Sequence, residues 1–261
     1  MTNRIAFSRP TENAEECRQL FQSFRGAGYD GLQLKASQYY PYLQEPEKFL
    51  EEWGQFPGAA SALIAWGTLD DDNRALLRSV FRFAEKVGTE LVIFCHTVSR
   101  KNVTVDDIRR FAVILSELGR EAEQRGVKLS LHHHYDQPVM YREDFDAFFE
   151  QVRGNSVGLT IDTAHLVKSG IPDIAEVIRS FRSVIDNFHL KDFADGQWQV
   201  LGHGAINFQP VFAAIRDIGY NGWISADEES GGGIREAMND CCRFIRNGLA
   251  GNQSSAPTIG T

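Results

Sequence analysis

Most histidines of this chain stand in short segments that also carry acidic residues or lysines. Residues 132–134 are three consecutive histidines in VKLSLHHHYDQ, and Asp162 precedes His165 in TIDTAH. His189 lies in NFHLKD, and SADEES carries three consecutive acidic residues at 227–229. Imidazole and carboxylate groups together bind Mn, Zn, Fe, Co or Ni, and Mg where carboxylates dominate. If the fold brings these segments together, they form a divalent-metal site.

The elements that must position these residues alternate along the chain. Strand-like apolar runs lie at 4–8, 31–35, 61–66, 90–96, 127–134, 156–162, 184–192 and 222–228. Helix-like amphipathic segments lie at about 12–26, 45–54, 71–87, 104–126, 142–153, 172–183, 208–219 and 232–248. The repeat averages about 30 residues, the size of a βα unit. Eight such units favour a single closed (β/α)8 TIM barrel over a doubly wound open sheet, whose Gly-rich turn after the first strand is missing from SRPTEN.

The barrel is expected to occupy residues 1–250. The last segment, 251–261, is polar and rich in turn-forming residues, which predicts a flexible C-terminal tail.

Composition argues against several classes of protein. The formal net charge is −8 without a run of Lys or Arg, which argues against a nucleic-acid partner. No apolar run reaches the roughly 18 to 20 residues that a membrane span needs. The N-terminal segment has no signal-peptide apolar region, and adjacent Cys241 and Cys242 do not resemble a disulfide framework. These features predict a cytoplasmic protein.

Most of the reactive residues stand at the carboxyl ends of the predicted strands. Catalytic groups of a TIM barrel lie at the carboxyl ends of its strands, and six of the seven histidines fall at or just past a predicted strand end. Residues i and i+2 of a strand point the same way. His132 and His134 therefore share one face and His133 takes the other, while His189 shares a face with Lys191.

Five segments resemble the sugar-phosphate isomerase/epimerase superfamily of xylose-isomerase-like barrels. They are GYDGLQLK, VGLTIDTAH, NFHLKD, LGHGAINFQPVFAAIRDIGYNGW and ISADEES, and the resemblance runs in order from about residue 4 to residue 246. It implies a TIM barrel with one divalent metal ion at its mouth, either Mn, Zn, Co, Fe or Mg. Typical members bind the ion through Glu, Asp, His and Glu on strands five to eight. The implied metal ligands here are His132, Asp162, His189 and Asp227.

Two of the implied ligands depart from the usual pattern. The strand-five motif of typical members is Glu-Asn-His, and the three consecutive histidines here resemble the myo-inosose dehydratase branch instead. On strand eight Asp227 is one carbon shorter than the usual Glu, and Glu228 or Glu229 could reach the metal through a shifted register. Gln33 stands on strand two, where many members carry Glu.

The departures favour elimination of water over epimerisation. Epimerases of the family use two metal-bound glutamates as an acid/base pair, and the strand-five carboxylate is missing here. A histidine can still act as a base near neutral pH. The catalytic candidates are His132, His134, Lys191 and Glu228, and the substrate-binding candidates are Lys35, His96 and His165. The expected substrate is a small sugar or cyclitol with a keto group.

Other interpretations stay open from the sequence. A ketose epimerase or an aldose–ketose isomerase would use the same scaffold, and a non-catalytic sugar-binding barrel would explain the missing glutamate. A DNA-repair endonuclease of the superfamily is disfavoured by the net charge of −8. The resemblance also makes a homo-oligomer possible.

Overall fold

The computed structural model describes residues 3–251, in which eight parallel strands close into a barrel. The barrel strands are β1 (Arg4–Ser8), β2 (Gly31–Leu34), β3 (Ala62–Gly67), β4 (Leu91–His96), β5 (Lys128–His132), β6 (Gly158–Asp162), β7 (Ile185–Leu190) and β10 (Trp223–Asp227). Their order around the barrel is β1-β10-β7-β6-β5-β4-β3-β2. The predicted (β/α)8 TIM barrel is confirmed. The predicted tail at 251–261 lies, except for Gly251, outside the described residues.

Helices separate the strands and cover the outside of the barrel. They are α1 (Ala14–Ser23), α2 (Ala36–Tyr39), α3 (Pro46–Trp53), α4 (Asp71–Val87), α5 (Val105–Glu123), α6 (Arg142–Phe149), α7 (Thr163–Lys168), α8 (Ile174–Ser180), α9 (Phe208–Asp217) and α10 (Ile234–Leu249). Thr104 caps α5, since the Thr104 side chain accepts from the backbone N–H of Asp107. Within residues 3–251, no helix combines the length and the apolar character that crossing a membrane requires.

The barrel interior is apolar on one side and polar on the other. Inward-facing residues of β3 and β4 form a small apolar cluster of Ala62, Ile64, Leu91, Ile93 and Cys95. Across the barrel, buried polar side chains face inward from β2, β5, β6, β7 and β10, namely Gln33, Ser130, Thr160, Asn187 and Ser225. Outward-facing residues pack against the helices in a larger hydrophobic core. The polar half lies directly below the strand ends that carry the reactive residues.

A hairpin follows β7 where the sequence predicts one continuous strand over 184–192. Strand β8 (Asp192–Ala194) pairs antiparallel with β9 (Gln197–Gln199). Three-residue strands are too short to show a period-two pattern, which is why the sequence does not reveal them. The buried Asp192 carboxylate accepts four backbone N–H groups, from Phe193 at 2.8 Å, Gly202 at 3.0 Å, Gly204 at 2.9 Å and Ile206 at 3.2 Å.

Replacing Asp192 with Asn is expected to destabilise the protein by about 3 kcal/mol, because hydrogen bonds to a charged group contribute about 1.5 to 3 kcal/mol each and an amide offers a single acceptor atom. Urea unfolding of the variant measures the loss. Asp195→Asn, at the exposed turn of the same hairpin, is the matched control. Equal unfolding free energies for the two variants would refute the anchoring role of Asp192.

Candidate metal centre

Three buried side chains converge at the carboxyl end of the barrel. His132 ends β5, Asp162 ends β6, and His189 lies near the end of β7, in register with Asp162. Each offers a potential ligand atom, and these atoms all lie within 4.8 Å of one another. His132 Nε2 is 3.6 Å from Asp162 Oδ2. The parallel pairing of β5, β6 and β7 brings together residues that are far apart in the sequence.

The hydrogen bonds around Asp162 and His189 leave one atom of each side chain free to bind a metal ion. Asp162 Oδ1 caps α7 by accepting from the N–H of His165 at 2.9 Å, and Asp162 Oδ2 has no hydrogen-bond partner within residues 3–251. His189 Nε2 is 2.8 Å from Gln33 Oε1, an acceptor, so His189 Nδ1 keeps its lone pair. Buried polar atoms without partners are costly. Two imidazoles and one carboxylate form a donor set that suits Zn, Mn, Fe or Co.

Two of the three candidate ligands are already in the protonation state that binds a cation. Burial lowers the pKa of His189 to about 3, so its imidazole is neutral at pH 7. Burial alone would raise the pKa of Asp162, but the neighbouring imidazoles and Lys191 outweigh it and lower that pKa below its usual range. Asp162 and His189 therefore present a carboxylate and a neutral imidazole, the forms in which these groups bind metals. Burial alone would lower the pKa of His132, but the neighbouring Cys95 and Asp162 outweigh it and raise that pKa to about 10, so a metal ion must displace a proton from His132.

Two lysines and two carboxylates form an ion-pair cluster beside the three candidate ligands. Lys35 Nζ lies 2.7 Å from Asp227 Oδ1 and 2.9 Å from Glu229 Oε1. Lys191 Nζ lies 3.1 Å from Asp227 Oδ2 and also contacts Glu229. Asp227 Oδ2 is 4.0 Å from His189 Nδ1, but both of its oxygens accept from lysines. A metal-ligand role for Asp227 stays a prediction. Glu229 stands two residues after Asp227, so it points to the same side and joins the ion-pair cluster.

Aromatic and imidazole rings line the rest of the mouth. The rings of His134 and His165 are 3.6 Å apart, and the Trp198 ring from β9 lies 5.0 Å from His165. Lys191 Nζ is 4.6 Å from the centre of the Trp198 ring. His134 Nδ1 lies 2.7 Å from the carbonyl oxygen of Tyr135, which makes Nδ1 the protonated nitrogen and leaves Nε2 as an acceptor.

The structure does not support Glu228 as a catalytic group. Asp227 points into the barrel mouth, where its two oxygens contact Lys35 and Lys191, so its neighbour Glu228 faces outward. The Glu228 carboxylate is buried against the Arg9 guanidinium and also accepts from Ser230. Both oxygens are thus engaged away from the candidate metal centre.

His96 is likewise placed outside the mouth, contrary to the predicted substrate contact. Cys95 faces the barrel interior, so His96 faces the helices, where its ring lies 4.3 Å from that of Phe111 in α5. His133 also faces outward, as the alternation predicts, and its Nε2 accepts from the N–H of Asp162 at 2.9 Å. His133 supports the candidate metal ligand from behind, a role that the sequence does not reveal.

Comparison with known proteins places the chain in a family. The family model for the xylose isomerase-like TIM barrel matches residues 21–247. The chain belongs to the xylose isomerase-like TIM barrel family. The resemblance seen in the sequence motifs is thereby confirmed.

The similar proteins with a named activity include inosose dehydratases and an epimerase. An inosose dehydratase of Clostridium beijerinckii is 31% identical over 134 residues, which cover 44% of this chain and 45% of that protein. The match spans about half the length of such curated relatives. The structure of the IolI protein with a bound zinc atom has a TM-score of 0.78 at 19% identity and covers 97% of this chain and 100% of that one. An L-ribulose 3-epimerase has a TM-score of 0.77 at 17% identity, over 96% and 95% of the two chains. At these identities the structural likeness shows the fold alone.

Proposed function

We propose that this chain is a metal-dependent lyase that removes water from a small polyhydroxy keto compound, with a keto-inositol as the favoured substrate. The observation that carries the proposal is the group of His132, Asp162 and His189 at the mouth of the barrel. The inosose dehydratase relatives support this choice of reaction. The proposal places the enzyme in the cytoplasm, where its four free cysteines stay reduced, with no nucleic-acid partner. A homo-oligomer stays a prediction.

The charges of the site favour removal of a proton from the carbon next to a carbonyl, the first step of the proposed elimination. Among the three ligand candidates Asp162 alone is anionic, and the two carboxylates of Asp227 and Glu229 are balanced by Lys35 and Lys191. A divalent ion held there would keep one net positive charge and would polarise the substrate carbonyl, stabilising the enolate that forms when the adjacent carbon loses its proton.

His134 and Lys191 supply the proton transfers in this scheme. Burial lowers the pKa of His134 to about 4, so its ring is neutral near pH 7 and Nε2 can take the proton from the carbon next to the carbonyl. Burial alone would lower the pKa of Lys191, but Asp227 and Glu229 raise it, so its Nζ holds a proton. As the new carbon–carbon double bond forms, the carbon–oxygen bond breaks, and Lys191 protonates the leaving hydroxyl to give water.

Lys35 and His165 complete the scheme as groups that bind and orient the substrate. Lys35 Nζ stands beside Asp227 at the mouth, and the His165 ring lies between His134 and the Trp198 ring. Trp198 provides an apolar face against which the carbon–hydrogen face of a cyclitol could pack.

Product analysis tests the proposal. Purified protein incubated with Mn²⁺ or Co²⁺ and a keto-inositol is expected to yield a compound lighter by one water, with new ultraviolet absorption from the diketone-type product. The Asp162→Asn protein serves as the inactive control. A product of unchanged mass with an inverted centre would identify an epimerase instead. Tight binding of the keto-inositol without any product would identify a sugar-binding barrel.

A further inference from the structure

The lower barrel interior contains a carboxylate that the reaction scheme does not use. Asp186 is the extra residue of a β-bulge, because Leu159 pairs with Ile185 and Thr160 pairs with Asn187. Gly158 makes room for it, since a Cβ added at Gly158 would lie 1.9 Å from the Asp186 carboxylate. The bulge thus turns a carboxylate toward the polar half of the barrel.

Two hydroxyl groups connect Asp186 to the layer above it. Ser130 Oγ lies 2.6 Å from Asp186 Oδ1 and 2.7 Å from Thr160 Oγ1. Thr160 Oγ1 in turn lies 3.4 Å from Asn187 Nδ2, the longest link of the series. All of these residues except Asp186 are fully buried.

A pair of amides continues the series to the candidate metal ligand. Gln33 Nε2 donates to Asn187 Oδ1 at 2.8 Å, and Asn187 Nδ2 donates to Gln33 Oε1 at 3.2 Å. Gln33 Oε1 also lies 2.8 Å from His189 Nε2. An unbroken series of hydrogen bonds therefore runs from Asp186 to His189.

The carboxylate determines the direction of every bond in its neighbourhood. An ionised carboxylate only accepts, so the single hydroxyl hydrogen of Ser130 must point to Asp186. Thr160 must then donate to Ser130, because no other hydrogen is left for their 2.7 Å contact. With its own hydrogen used, Thr160 Oγ1 must accept from Asn187, which orients the Asn187 amide nitrogen toward Thr160.

The same reasoning fixes the orientation of the Asn187 and Gln33 amides and the position of the hydrogen on the His189 imidazole. With the Asn187 nitrogen turned toward Thr160, its oxygen faces Gln33 Nε2, so the Gln33 oxygen faces His189. An oxygen acceptor at 2.8 Å requires a hydrogen on His189 Nε2. The lone pair of a neutral His189 is then on Nδ1, on the side of the candidate metal centre.

We propose that Asp186 is a positioning residue that selects the Nε2–H tautomer of His189 through the side chains of Ser130, Thr160, Asn187 and Gln33. This role rests on the proposed metal function of His189. If the bond directions reversed, Gln33 would present its NH₂ group to His189, the hydrogen would move to Nδ1, and that nitrogen could no longer bind a cation. Partners behind a metal-binding histidine commonly fix its tautomer in this way.

Two variants break the series at different points. Asp186→Asn keeps the shape but can donate as well as accept, so it no longer imposes a direction. Thr160→Val removes the middle link and keeps the volume. Ser225→Ala is the matched control, because Ser225 is a buried hydroxyl in the same barrel interior that bonds to the Ala226 carbonyl at 3.3 Å. Burial raises the pKa of Asp186 to about 6, so measurements at pH 8 examine its ionised form.

The tautomer is read from the ¹⁵N shifts of the His189 ring in the metal-free protein, with His189→Gln used for assignment. The wild type and Ser225→Ala are expected to show the Nε2–H form, whereas Asp186→Asn and Thr160→Val show a mixture. Competition with a chromophoric chelator should give a Zn²⁺ dissociation constant about tenfold higher for the two variants than for the control.

An Nδ1–H form in the wild type, or unchanged tautomer populations in both variants, would overturn the proposal. A wild-type protein with the Nε2–H form that binds no Zn²⁺, Mn²⁺ or Co²⁺ would refute the proposed metal function and leave the tautomer selection standing. The two readouts therefore separate the two claims.

Discussion

Asp162→Asn is expected to lower turnover of the keto-inositol by about a thousandfold and to remove stoichiometric divalent metal. Loss of a metal ion forfeits several kcal/mol of transition-state stabilisation, and about 4 kcal/mol corresponds to a factor of 10³. The amide oxygen of Asn can still cap α7 through the N–H of His165, so the backbone at this strand end is retained. Metal content by mass spectrometry and initial rates with added Mn²⁺ measure the two effects.

A second capping aspartate provides the control for this experiment. Asp173 caps α8 by accepting from the N–H of Glu176 and is exposed, away from the mouth. Asp173→Asn should keep wild-type metal content and activity. If the Asp162 variant keeps both instead, the three converging side chains do not form the catalytic metal site.

Alternation along parallel strands is strong enough to locate most of the candidate site from sequence. Once the strand ends are recognised, the i+2 rule places His132 inward with His133 turned to the other side, and His189 on one face with Lys191. The structure agrees for all four residues.

The same rule fails where nothing marks which face is inward. Strand β4 reads LVIFCH and is buried on both faces, as parallel strands usually are, so the sequence gives no sign that Cys95 points in and His96 points out. In SADEES three acidic residues follow one another, and only the tertiary contacts, Asp227 with Lys35 and Lys191 and Glu228 with Arg9, show that Glu228 faces outward. The way in which strands that are distant in the sequence come together depends on the tertiary fold, so the composition of one strand does not reveal which of its faces is inward.

The sequence also does not reveal that the Gln33 side chain contacts His189. Gln33 and His189 are 156 positions apart and meet only because the barrel closes with β2 and β7 facing each other across its interior. From the sequence alone, Gln33 is the residue that replaces a usual glutamate. In the structure its amide is the group that holds the His189 ring. A residue that departs from the family pattern therefore takes part in the site by supporting a ligand.

Lys191→Met is expected to lower kcat by a factor of about 10² to 10⁴, the usual contribution of a positioned general acid. Metal content should stay near the wild-type level, because Lys191 contacts Asp227 and Glu229 rather than the three candidate ligands. Lys35 still pairs with both carboxylates in this variant. Steady-state rates measured together with metal analysis separate loss of the acid from loss of the ion.

Two comparisons distinguish proton donation by Lys191 from its charge. Lys191→Arg keeps the positive charge beside Asp227 and Glu229, but a guanidinium is a far poorer proton donor, so kcat should stay low. A substrate analogue with fluoride in place of the leaving hydroxyl needs little acid assistance and should restore much of the rate in Lys191→Met. Lys168→Met is the matched control, since Lys168 Nζ also lies 4.6 Å from the Trp198 ring. Wild-type turnover in Lys191→Arg, or no recovery with the fluoro analogue, would assign the proton transfer to another group and leave Lys191 a purely electrostatic role.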